Sequence, residues 1–213
     1  MSTIRGLFRI IIFILIFAIF LGLVVAFFYP IGYKEFIVKY SNEQNIDPLL
    51  VSAIINVESK FNKDAISIKD AKGLMQISPQ TGLWGAKELG IEDYTEELLY
   101  EPKTNIQIGT WYIKKLMIEF NGDLDLVLAA YNAGSGNVRK WLGESSYSLD
   151  GKSLYKIPFN ETDDYLVKVE RNHRIYSTIY TEYMEKPDSF NTIYIDAIIN
   201  LRAILINLVK SFR

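Results

Sequence analysis

The sequence predicts a mainly α protein, in which a helical domain follows an N-terminal transmembrane helix and precedes a C-terminal amphipathic helix. Three observations carry this expectation. Ile10 to Phe28 is an unbroken run without a charged or strongly polar side chain, close to the ~20 residues a helix needs to cross the hydrocarbon core. Between Asp47 and Gly134, apolar residues recur at helical spacing, punctuated by Asp-Pro, Asn-Gly and Ala-Gly pairs that start and stop helices. From Ser189 to Arg213, polar residues gather on a narrow stripe of an otherwise apolar helical wheel. A chain of 213 residues with 49% hydrophobic content suits one domain of about 100 to 200 residues plus an extra piece. The boundaries are drawn at 1–30 for the anchor, 31–181 for the domain and 182–213 for the terminal helix.

Arg5 and Arg9 precede the apolar run. By the positive-inside rule they hold the N-terminus in the cytoplasm and send everything after Tyr29 to the far side of the membrane. A cleaved signal peptide is the alternative, with Val24-Val25-Ala26 as its cleavage site. The bulky Phe27-Phe28-Tyr29 and the length of the run favour an uncleaved anchor, because signal peptides carry only about 7 to 15 apolar residues. Ile31 to Tyr40 then reads as a short amphipathic helix, and Ser41 to Asn45 as a polar connector.

Asp47-Pro48 opens the next helix, since Asp accepts from free backbone N–H groups and Pro tolerates the first helical position. Leu49, Leu50, Val51, Ala53, Ile54, Ile55 and Val57 surround its axis, so the helix is buried on most sides, and Glu58 ends the run. Glu58 is therefore a candidate half-buried carboxyl. Desolvation disfavours its charged form, so it can stay protonated near neutral pH and donate a proton to a leaving oxygen, the chemistry of glycosidic bond cleavage. A solvated Glu at a helix end has the same local sequence, and its company decides between the two.

Asn62 to Lys72 is a looser polar stretch, and a Gly73-led turn follows it. A helix around Leu83 to Leu89 gives way to a loop broken by Gly90 and Pro102. Ile108, Trp111, Tyr112, Ile113, Leu116 and Phe120 mark a helix from Thr104 to Phe120, ended by Asn121-Gly122 and read as core packing. Asp123 caps a further helix, Leu124 to Tyr131, which stops at Ala133-Gly134. Gly134-Ser135-Gly136 lacks the third Gly and the preceding strand of a phosphate loop. Gly143 to Lys156 is a Ser- and Gly-rich exposed loop, and Pro158 to Thr162 leads into a helix through Tyr165, Val169 and Tyr176.

Composition excludes several classes. There is no cysteine, so disulfides and thiol catalysis are out. A single His, at position 173, leaves a catalytic triad or multi-histidine metal site unsupported, and His173 is expected to pack or sit at a helix surface. The formal charge is −2, about −4 once Arg5 and Arg9 are set aside, with Lys and Arg scattered, so nucleic acid is not the expected partner.

The company of Glu58 is specific. Glu58-Ser59-Lys60-Phe61-Asn62 runs through Ala65 and Ser67 to Gly73-Leu74-Met75-Gln76-Ile77, and Ala129-Ala130-Tyr131-Asn132-Ala133-Gly134 stands downstream. These pieces, in this order, resemble the family 1 lytic transglycosylases, the soluble, goose-lysozyme-like type, over roughly Tyr33 to Tyr180. The resemblance implies a lysozyme-like helical domain, with Glu58 as sole catalytic acid and base and with Ser67, Gln76, Tyr131 and Asn132 at the substrate. Glu161-Thr162 followed by Tyr165 resembles the end of that domain, which implies Glu161 and Tyr165 as ligands for the glycan or its peptide stem. By the residues alone, Ser67 and Gln76 also suit a turn, Tyr131 and Tyr165 a core, Asn132 a helix C-cap, and Glu161 a first-turn acid. Two departures stand out: Ser78 where members often carry a cleft-lining Met, and Lys63 where Pro is common.

The implied activity is cleavage of the β-1,4 bond between N-acetylmuramic acid and N-acetylglucosamine in peptidoglycan, leaving 1,6-anhydro ends, with no cofactor and no metal. Rival readings are a muramidase of the same fold and a non-catalytic, membrane-anchored glycan-binding scaffold. The expected partners are peptidoglycan strands, the plasma membrane through residues 10–28, and the membrane interface or a membrane protein along the C-terminal helix, with packing of that helix onto the catalytic domain as the equal alternative. Asp196 and Arg202 argue against that helix as a second span. The expected location is the bacterial cell membrane, single-pass, with the catalytic domain on the outer, cell-wall or periplasmic side.

Overall fold

Asp47 shows how local sequence sets the first functional helix. Its Oδ1 accepts from the Leu49 N–H at 2.8 Å, Pro48 occupies the first turn, and the helix ends at Lys60 in the left-handed region. The computed structural model describes residues 2–186 and 190–211. Its helices are α1 (Ser2–Phe28), α2 (Lys34–Gln44), α3 (Pro48–Ser59), α4 (Pro79–Leu89), α5 (Pro102–Glu119), α6 (Leu124–Ala133), α7 (Ser135–Leu142), α8 (Asn160–Glu185) and α9 (Phe190–Ser211), with a 3₁₀ turn at Glu96–Tyr100. Among the described residues, extended pairing is confined to two isolated bridges, Ile66 with Lys72 and Lys72 with Ile77. The protein is thus mainly α.

The chain divides into two compact units, Tyr33–Thr178 and Met1–Gly32 with Ile179–Arg213. The helical domain anticipated at 31–181 corresponds to the first of these, and α9, anticipated as a separate piece, groups with α1.

In the larger unit, helix starts follow the sequence signals. Ser78 accepts from the Thr81 N–H at 3.1 Å and Asp123 from the Leu126 N–H at 3.1 Å, capping α4 and α6. The departure at Ser78 therefore has a structural use as a cap. Three boundaries differ from expectation. α2 starts after Tyr33, whose φ of 54° is left-handed, and it continues through Ser41, so the predicted connector is its last turn. Ile37, Tyr40 and Ser41 are all buried on one face, which keeps that turn helical. α5 begins at Pro102 rather than Thr104, with Pro in its first turn. α7 was not anticipated, and it forms because Val138 and Trp141, one turn apart, are both buried.

The core runs through α3, the 73–77 turn and α5: Ile54, Ile55, Leu74, Met75, Ile106 and Ile108 are all without solvent contact. Burying side chains of this kind is worth roughly 1.5 to 3 kcal/mol each. Close approach needs Gly109, where a Cβ would run into the Met75 sulfur.

In the smaller unit, α1 is a candidate span over Ile4–Phe28, 25 residues with little of the apolar stretch buried. The Tyr180 hydroxyl donates to the Tyr29 carbonyl at 2.7 Å, and the Tyr194 hydroxyl to the Ala18 carbonyl at 2.7 Å. Ser189, Phe212 and Arg213 of the predicted terminal helix, and the side chains of Asn207, Lys210 and Ser211 in its predicted stripe, lie outside the described residues.

Candidate active site

Glu58 sits one residue before the end of α3, on the turn where the helix leaves the core. Its side chain is half-buried. Burial pushes the carboxyl up from its ordinary range to about 7; Tyr165 acts against the rise, and the negative charge of Glu161 adds to it. The buried Tyr165 hydroxyl approaches that carboxyl without completing a well-formed hydrogen bond. Burial and the Glu58 charge also hold the Tyr131 and Tyr165 hydroxyls well above the usual phenol range, so both stay protonated.

The 73–77 turn is bonded to Ser59, the neighbour of Glu58, and its backbone is clamped from three helices. Ser59 of α3 donates to the Leu74 carbonyl at 2.7 Å. Asn105 of α5 accepts from the Met75 N–H at 2.7 Å and donates to the Lys72 and Leu99 carbonyls at 2.9 and 2.7 Å. Tyr131 of α6 donates to the Met75 carbonyl at 2.7 Å. Gly73 has a φ of +76°, and a Cβ there would collide with the Leu99 carbonyl and the Asn105 amide, so glycine is required.

The predicted site residues fall into two groups. Tyr165 and Glu161 act on Glu58, the first through its buried hydroxyl and the second as an exposed charge, and Tyr131 lies close enough for the Glu58 charge to act on its hydroxyl. Asn132 joins this group indirectly, accepting from the Thr162 hydroxyl at 2.8 Å and so tying the end of α6 to the start of α8. Ser67 and Gln76 instead do local work in the preceding loop. Ser67 is exposed and its Oγ accepts from the Ala71 N–H at 3.0 Å. The Gln76 amide donates to the Gly73 and Ala65 carbonyls at 2.9 and 3.2 Å. Its carbonyl oxygen is the half of the amide not spent on the loop.

Sequence reasoning missed Ser59, Asn105 and Thr162, because a polar residue inside a helix gives no sign of its distant partner. It also read Tyr112 as core alone. Tyr112 is half-buried, packs on Tyr131 with ring centroids 5.6 Å apart and lies 6.4 Å from the exposed Trp84, so an aromatic strip leads from Tyr131 outward. Among the described residues no cluster of three or more acidic or His side chains could hold a metal. A cavity of about 680 Å³ lined by Glu119, Arg139 and Lys152, among others, includes none of the predicted site residues.

One protonated carboxyl in a partly desolvated pocket, flanked by two phenols, is equipped to deliver a proton and take one back. The family model described as the transglycosylase SLT domain matches residues 35–153. The chain belongs to this family. This SLT-domain chain is 35% identical over 163 residues to the soluble lytic murein transglycosylase of Salmonella typhimurium, covering 76% of this chain and 25% of that protein. It is 30% identical over 169 residues to the membrane-bound lytic murein transglycosylase C of Glaesserella parasuis, covering 69% of this chain and 46% of the relative. An inactive Glu-to-Gln mutant of lytic transglycosylase Slt from Pseudomonas aeruginosa superposes with a TM-score of 0.64 at 30% identity, over 72% of this chain and 25% of that one. For the 70-kDa soluble lytic transglycosylase of Escherichia coli the TM-score is 0.63 at 32% identity, over the same shares. The SLT-domain chain thus spans about a quarter of the length of its soluble relatives.

Proposed function

We propose that this SLT-domain protein is a membrane-anchored peptidoglycan lytic transglycosylase, cutting the β-1,4 bond between N-acetylmuramic acid and N-acetylglucosamine. The observation that carries the proposal is Glu58, half-buried and held near a pKa of about 7. Glu58 first protonates the leaving glycosidic oxygen. As carboxylate it then takes the proton of the muramyl 6-hydroxyl, which attacks the anomeric carbon and closes a 1,6-anhydro ring. Most glycosidases use a pair of carboxylates, with substrate-assisted enzymes among the exceptions. Here the substrate's 2-acetamido group takes the second role, and Glu161 contributes only its charge. Asn132, the free oxygen of the Gln76 amide and the Ser67 hydroxyl serve sugar hydroxyl and acetamido groups. The Tyr112 and Trp84 rings offer flat apolar faces to the sugar.

Anchoring is part of the proposal. α1 crosses the plasma membrane with Arg5 and Arg9 on the cytoplasmic side, so that the SLT unit works on the glycan outside. The name of the Glaesserella parasuis relative, a membrane-bound enzyme, supports this.

The test is mass analysis of purified peptidoglycan digested with the full-length protein in detergent. Anhydromuropeptides are expected from the wild type, with a loss of at least about 10²-fold in Glu58→Gln, because the amide keeps the shape but cannot deliver a proton. Reducing-end products would identify a muramidase instead, and full activity in the variant would remove Glu58 from its role.

A further inference from the structure

We infer that α9 is a lipid-immersed helix: it lies in the leaflet where α1 ends, seated on α1 through Tyr194 and covered elsewhere by acyl chains. This rests on α1 being a membrane span. Ala18 lies ten residues before the end of α1 at Phe28, ~15 Å along a helix, or about half the ~30 Å thickness of the hydrocarbon core. The Tyr194 hydroxyl donates to the Ala18 carbonyl at 2.7 Å. A side chain that reaches this depth of a spanning helix is inside the apolar layer, where a hydroxyl must find its partner within the protein.

The seat is shaped for α9. Any Cβ at Gly22 would collide with the Tyr194 hydroxyl and press on Ile198, so glycine opens the notch that Tyr194 fills. Ile195 and Ile198 are buried on the same side of α9. Asp196, the acid that speaks against immersion, has its Oδ1 bonded to the Tyr183 hydroxyl at 3.1 Å. Arg202 lies close enough to Tyr180 for its charge to act on that hydroxyl.

Away from its polar stripe, much of α9 is apolar and exposed. Phe190 and Ile193 are exposed, and past Arg202 the residues Ala203, Ile204, Leu205 and Val209 are exposed as well. An exposed apolar face of this breadth needs an apolar surrounding. Continuity names it: Phe17, Phe20 and Leu21 of α1, adjoining the seat, are exposed as well, and the acyl chains that cover them extend over α9. The apolar groove of about 180 Å³ between the helices, lined by Leu21, Val25, Ile195 and Ile199 among others, belongs to the same surface.

The chain has no cysteine, so single nitroxide labels can be placed at Phe13→Cys, Ile204→Cys and Lys87→Cys in the full-length protein in phosphatidylethanolamine and phosphatidylglycerol vesicles. Collision with oxygen, which favours lipid, is compared with collision with a nickel chelate, which stays in water. The expected result is lipid-like behaviour at 13 and 204 and water-like behaviour at 87. Lipid at 13 with water at 204 would overturn the inference while leaving the anchor intact. Water at 13 would end the anchor reading and this inference with it. Spin–spin broadening between copies at 204 would show a second copy in place of lipid and also overturn it. In Gly22→Leu, which closes the notch, the label at 204 should move toward water; an unchanged depth would refute the seat.

Discussion

The Tyr131 hydroxyl donates to the Met75 carbonyl at 2.7 Å, which fixes the last turn of α6 to the 73–77 turn. Tyr131 therefore shapes the site through a backbone oxygen, while burial and the Glu58 charge hold its own hydroxyl protonated. The Glu58 carboxyl owes its raised pKa to surroundings that are themselves held in place by hydrogen bonds from other helices.

Removing the Tyr165 hydroxyl should shift the pH profile upward. Tyr165 opposes the rise in the Glu58 pKa, so Tyr165→Phe, which keeps the ring, leaves the carboxyl protonated to higher pH. In the wild type the acid form is half populated at about pH 7 and the rate should fall tenfold per unit above it. Rates of turbidity loss of peptidoglycan between pH 5 and 9 check this. An alkaline limb that stays in place or moves down contradicts the assignment.

Stability should fall as pH rises through the same range. The folded-state pKa of Glu58 is raised from 4.5 to about 7, so the native state binds more protons than the unfolded state across that window. By linkage, stability is greatest below about pH 4.5 as far as this group is concerned, and up to about 3 kcal/mol is lost by the time pH passes 7. Glu58→Gln removes the titration, so its thermal unfolding midpoint should exceed that of the wild type at pH 8 while activity is absent. Equal slopes of midpoint against pH in the two proteins would rule this out.

Asn105→Ala should destabilise out of proportion to its size. The fully buried side chain serves the Met75 N–H and the Lys72 and Leu99 carbonyls, and each buried group left unpaired costs about 1 to 3 kcal/mol. A loss of about 3 kcal/mol or more is expected in denaturant unfolding, against less than about 0.5 kcal/mol for the exposed Lys103→Ala on the same helix. Similar losses for both would remove Asn105 from its place as a hub.

Helix existence was legible where local chemistry decides it, as at Asp47-Pro48 and Asp123, whose caps are bonds to residues two or three positions on. The half-burial of Glu58 followed from the apolar run before it. Contacts across the chain were not legible. His173, expected to pack or sit at a surface, pairs with Asp47 at 2.6 Å across 126 residues, and that bond lowers the Asp47 pKa. Asn105 and Thr162 are ordinary polar residues in any local window, and only folding brings their partners. The environment of α9 was half legible: its wheel called for an apolar partner, and the Gly22 notch that receives Tyr194 is a property of two helices together.

The clamped turn at 73–77 also sets an order of events. Its anchors Ser59, Asn105 and Tyr131 stand 15, 30 and 56 residues from the atoms they hold, and contacts of such span form late because loop closure must precede them. During synthesis, Glu58 therefore exists well before its surroundings do. Until α6 and α8 fold back around it, the carboxyl is hydrated and of ordinary acidity, ionised at neutral pH. A nascent or clipped chain carries the glutamate without its raised pKa, so the proton donor we propose is assembled only when the last walls of the domain are in place.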